Sequence, residues 1–90
     1  SNYALPFKIT SETAKITGKV KVLEGEKIKG FVYFQKEFDE HFPDEIYKVF
    51  SFDGAKEIDV NQSLVKENYV LVFVNDGEKS VVIRGNFSVE

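Results

Sequence analysis

Apolar and polar residues alternate along most of this chain, the two-residue period of strands with one face buried in a sheet. Ile16, Gly18, Val20 and Val22 alternate with Lys15, Thr17, Lys19 and Lys21. After a Glu24-Gly25-Glu26 turn the period resumes at Ile28, Gly30, Val32 and Phe34, while Phe31 and Tyr33 make the opposite face partly apolar. Tyr3–Ile9 reads as an edge strand, because Pro6 has no N–H to give a ladder. Tyr47–Phe52 and Lys56–Val60 predict two further short strands, with Asp53-Gly54 as a turn and Asn61-Gln62-Ser63 as a loop. Val70–Val74 is apolar on both parities, which predicts a strand covered on both faces. Asn75-Asp76-Gly77 suits positive φ and predicts a tight hairpin into a last strand carrying Val81, Ile83, Phe87 and Val89.

One stretch breaks the period. Phe34, Phe38, Phe42 and Ile46 recur every four residues, which predicts a short helical crossover near residues 36–42, ended by Pro43. The expected fold is therefore all-β: an antiparallel β-sandwich, jelly-roll or Ig-like, of about seven strands with one helical crossover. Gly18, Gly30 and Gly85 inside strand patterns predict bulges or close backbone approach.

Composition sharpens this picture at a few points. Ninety residues make one domain, and nine Phe and four Tyr supply much of its core. The absence of Cys excludes disulfides, thiolate metal sites and thiol nucleophiles. No apolar run is long enough for a membrane span. Ser1-Asn2, with no Met, reads as a cloning remnant ahead of a single domain over residues 3–90. A leader removed before Tyr3 is expected, and with it an extracytoplasmic setting, secreted or anchored at the cell surface.

The net charge of −3 is modest, but its distribution is uneven: Glu37, Asp39, Glu40, Asp44 and Glu45 crowd one segment without a Lys or Arg. With His41 among them, this segment carries the residue types that ligate divalent cations. No recognised ligand spacing accompanies them, so the plainer reading is a solvated acidic crossover anchored by its Phe residues. No metal or cofactor is expected. His41 is the only histidine, and no Ser lies in a Gly-x-Ser-x-Gly elbow, which disfavours nucleophilic catalysis. Lys15, Lys19, Lys21, Lys27 and Lys29 suggest a basic stripe of the kind that carries single-stranded nucleic acid on an OB-type sheet. The competing account is that they solubilise an open face, and a nucleic-acid partner is not expected. Phe31 and Tyr33 read either as core under a second layer or as an aromatic recognition patch.

Two stretches resemble a family pattern. Gly25-Glu-Lys-Ile-Lys-Gly-Phe-Val-Tyr leads into the Phe-rich crossover, and Asn68-Tyr-Val-Leu-Val-Phe-Val-Asn75 is a Tyr-led strand ending in Asn. Together they resemble the small β-sandwiches of the GOLD and bacterial pre-peptidase C-terminal type, across residues 14–90. That resemblance implies a jelly-roll-like, non-enzymatic accessory module, commonly exported or luminal. The expected function is thus a non-enzymatic binding module for a protein or cell-surface glycan, with Phe31, Tyr33, Glu37, Asp39, Glu40 and His41 as its surface. The alternatives are a hydrolytic domain centred on Glu37–Glu45, metal-dependent or carboxylate-based, and an OB-like single-strand binder.

Overall fold

The computed structural model describes residues 2–77 and 79–90. They form one five-stranded antiparallel sheet and one short helix: β1 (Asn2–Glu24), β2 (Ile28–Phe34), α1 (Gln35–His41), β3 (Phe50–Gly54), β4 (Glu57–Val74) and β5 (Val82–Val89). The strand order is β3-β2-β4-β1-β5. The all-β antiparallel expectation and the helical crossover hold. The strand count does not: the sequence suggested seven strands, and there are five.

Two mergers account for the difference. Tyr3–Ile9 and Ile16–Val22 are halves of β1, and the runs at 56–60 and 68–74 are halves of β4. Asn61-Gln62-Ser63, expected as a loop, stays within β4 because its polar side chains meet solvent while its backbone pairs with Ile16, Thr17 and Lys15. The register slips between Ile9 and Thr13, where three residues of β1 face the single Lys66 of β4. There the buried parity also switches. The shared core takes Phe7 and Ile9 but then Ala14, Ile16 and Val20 from β1, and Ile58, Val60 and Leu64 but then Tyr69, Leu71 and Phe73 from β4.

The slip is a sharp bend, and the chain's own length requires it. A straight 18-residue β4 would span about 58 Å, yet the longest dimension of the molecule is 39 Å. Near one end of β4, the Lys56 carbonyl accepts from the Val22 N–H; at the other end Val74 pairs with Lys29. The seven residue-to-residue steps from Val22 to Lys29 reach at most about 25 Å. So the β1–β4 ribbon folds back on itself. One half, with β2 and β3, makes one layer; the other half, with β5, makes the second. Their facing sides bury Ile9, Val20, Val32 and Tyr69 almost completely, although α1 lies on the opposite face.

Gly25, at φ 98°, makes the turn that carries the chain from one layer to the other, a left-handed conformation that side chains with a Cβ resist. Gly18 answers a different need: a Cβ there would strike the Asn86 carbonyl and sit 2.6 Å from the Phe87 ring, closing off β5. The expected hairpin at Asn75-Asp76-Gly77 is absent. β5 pairs with β1 instead of β4, so the chain passes from one layer to the other between β4 and β5. Asn75 holds that crossing, its Oδ1 accepting from the Gly77 N–H at 3.0 Å and its Nδ2 donating to the Lys79 carbonyl at 2.9 Å. The turn expected at Asp53-Gly54 falls two residues later, at residues 55–56, since Asp53 and Gly54 still pair with Lys29 and Ile28.

Val70–Val74 is covered on both faces as its pattern implied: Leu71 and Phe73 enter the shared core, while Val70 and Val72 face the helix side with Tyr33 and Ile46. Phe38, Phe42 and Ile46 pack there as the four-residue spacing suggested. Phe34 does not join them; it still belongs to β2 and turns to the inner face, against Tyr69 and Tyr47.

Candidate functional site

The helix α1 gathers part of the acidic segment. His41 Nε2 lies 3.7 Å from both a Glu37 and a Glu40 carboxylate oxygen, while Asp39 turns away and accepts from Gln35 Nε2 at 2.8 Å. Asp39, Glu40 and His41 are exposed and Glu37 is partly so, in high dielectric where such pairs are weak. Among the described residues, no three His, Asp or Glu side chains converge as a metal-binding group. Asp44 and Glu45 lie beyond the helix and are exposed.

Phe31 and Tyr33 sit apart from those carboxylates. Tyr33 is 7% exposed, roofed by the rings of Phe38 and Phe42 at 6.1 and 6.5 Å, and burial raises its phenol pKa above the ordinary 10.0. Phe31 lies 6.3 Å from Tyr33, with the Lys48 ammonium 5.1 Å above its ring. The pair is the floor beneath α1, the core alternative of the two readings, because a helix anchored by two Phe rings needs an aromatic bed.

Two lysines of the stripe, Lys19 and Lys29, are paired with acids. Lys19 Nζ lies 3.0 Å from Glu57 and 3.8 Å from Asp59, and Lys29 lies 2.9 Å from Asp76. The hydrogen bond and charge of Lys19 hold the Glu57 carboxyl below its ordinary pKa, and Lys29 does the same for Asp76.

One cleft, of about 350 Å³, is lined by Gln35, Lys36, Asp39 and Glu40 of α1 with Glu67 and Asn68 of β4, and a larger concavity lies at the end where the layers part. A cleft of about 540 Å³ opens between Tyr3, Ile28 and Phe73 of one layer and Val81 and Ile83 on the other side, with Asn2, Asn75, Lys79 and Ser80 on its rim. A further cleft, of about 380 Å³, shares Asn75, Gly77, Lys79 and Val81 with that one and is lined by Lys27, Lys29, Val74 and Asp76 among others. Beside the larger cleft runs the N-terminal half of β1. Among the described residues it pairs only with β4, which leaves its outer edge without a partner strand, as the position of Pro6 implied. Tyr3 and Leu5 on this edge are 63% and 39% exposed on the parity that otherwise enters the core.

Sequence reasoning missed this end of the molecule. The odd-parity run Tyr3, Leu5, Phe7 was its available signal. Nothing local indicates that Val81 and Ile83 face Tyr3 across a gap, since that depends on the bend in β1 and β4. Among the described residues, no helix is long and apolar enough to cross a membrane. No protein-family model matches this chain, and no curated protein matches it at a meaningful level of similarity.

Proposed function

We propose that this domain is a non-enzymatic binding module for a protein or cell-surface glycan, and that its recognition surface is the open end of the bent sheet rather than the acidic helix. The observation that carries this reading is the cleft between the layers. Its lining mixes apolar residues (Ile28, Phe73, Val81) with polar ones (Asn2, Asn75, Lys79) and includes a solvent-exposed aromatic, Tyr3. Convergent polar groups that fix orientation beside apolar side chains are common in recognition sites. An exposed aromatic ring suits either a sugar face or an apolar side chain. The GOLD-like reading of the fold agrees with an accessory role and rests on strand patterning alone.

The test is an array carrying glycans and peptides, probed with the labelled domain and with its Tyr3→Ala variant. Selective binding by the parent, lost in a variant that unfolds at the parent's temperature, supports the reading. Selective binding that Tyr3→Ala leaves intact moves the surface elsewhere. Metal-stimulated hydrolysis of an ester, glycoside or phosphate substrate by the parent would replace the reading with an enzymatic one.

A further inference from the structure

We propose that the N-terminal half of β1 takes an extended peptide strand from a protein partner, added to the sheet along Asn2–Ile9. This deepens the binding-module reading and rests on it. In the layer that holds β3 and β2, the sheet ends at this half-strand. β5 accompanies β1 only from Glu24 to Ile16, and its last contact is the mutual backbone pair of Lys15 and Glu90. Asn2 to Ile9 pair with Val74 to Glu67 on one side, and no strand among the described residues lies on the other. An incoming strand would therefore meet open backbone groups, interrupted where Pro6 lacks an N–H.

The side chains favour the same occupant. Tyr3 and Leu5 project from this edge on the core side and remain exposed, and Tyr3 forms the mouth of the interlayer cleft. A strand laid beside them would direct alternate residues toward Tyr3, Leu5 and the cleft, so backbone pairing supplies attachment and the cleft supplies selection. Charge narrows the partner further. Lys8 is the one charged residue on Asn2–Ile9, and Lys79 is the one charged residue among those described that line the cleft. The strand that fits alternates apolar residues with polar ones and carries a carboxylate that comes opposite Lys8.

The probe is a set of synthetic octapeptides alternating Val and Thr, with one Glu placed at each position in turn, titrated into the isotopically labelled domain. The expected result is shift changes and slowed amide exchange centred on Asn2–Ile9, with one Glu position preferred. N-methylating one alternate set of peptide amides should weaken binding about tenfold or more, the loss of roughly one hydrogen bond or more, while the other set is tolerated. Lys8→Glu, at an exposed position, should transfer the preference to Lys-bearing peptides. Equal tolerance of both N-methyl sets, shifts mapping away from Asn2–Ile9, or no peptide binding would overturn strand addition. Glycan binding on the array together with peptide silence would do so while leaving the module reading intact. Concentration-dependent dimerisation through Asn2–Ile9 without peptide would also overturn it, assigning the edge to a second copy of this chain.

Discussion

Tyr69 is where the bend in the β1–β4 ribbon can be probed with the smallest chemical change. Its ring is 1% exposed and stacks between Phe7 at 5.3 Å and Phe34 at 5.5 Å, while its hydroxyl donates to the Val65 carbonyl at 2.8 Å. Val65 stands beside Lys66, the residue at the register slip, so this bond ties the bend to the core. Tyr69→Phe keeps the ring and removes only the bond, a net loss of about 1 kcal/mol. Tyr69→Ala also empties the space between two aromatic rings, for a loss of about 3–5 kcal/mol, a large share of the stability of a domain this size. Urea unfolding of the three proteins measures both steps. The Phe variant should also melt about 4–8 °C lower. Its amides around residues 64–68 should exchange faster than those of β2. If Tyr69→Phe matches the parent in both stability and local exchange, the hydroxyl does not secure the bend.

Other expectations follow from the same geometry. Gly18→Ala should cost about 1–3 kcal/mol by overpacking and should loosen β5 selectively, visible as faster exchange at residues 82–89. Phe38 is half-buried, so Phe38→Ala should cost about 2–3 kcal/mol, below the full range for a buried Phe, and should raise the fluorescence of Tyr33 quenchable by iodide. Burial raises the phenol pKa of Tyr33 and Tyr69 in the fold, so the unfolded chain releases those protons first. Their contribution is fully present below pH 10.0 and declines as pH rises above it, which urea midpoints between pH 9 and 11.5 would register as a fall. Lowering the pH through the depressed pKa of Glu57 should remove its attraction to Lys19, and salt should weaken the same pair, because both groups are solvent-exposed.

Local pattern carried most of the strand content, because alternation reports directly which parity is buried. It gave the inner faces of Ile16–Val22 and Ile28–Phe34, the two-sided burial of Val70–Val74 and the inward Phe38 and Phe42. It failed where a strand stays continuous while its parity switches: a switch looks like a boundary, so each long strand was divided. Strand partners were equally illegible. Asn75-Asp76-Gly77 has turn chemistry, but turn chemistry does not say whether the next strand returns beside the last one or crosses to another layer. The open end of the sheet was illegible for the same reason. The acidic residues around His41 are conspicuous in sequence, whereas Tyr3 and Val81 are unremarkable until the bend brings them together.

The long ribbon also sets the order in which this chain can assemble. The most local pairing is β2 with β3, closed by α1 and tied by the Val49 N–H to Val32 carbonyl bond at 2.8 Å. By contrast, the pairing of Asn2 with Val74 spans nearly the whole chain and meets its loop-closure entropy before it gains any contact. Folding should therefore start from β2–α1–β3 and zip outward through β4, with the first strand docking late. Such a non-local sheet belongs among the slow folders, on the order of milliseconds to seconds. Until β1 docks, β4 presents its apolar Val70–Val74 segment as an open edge, and that interval is when this protein is most exposed to aggregation.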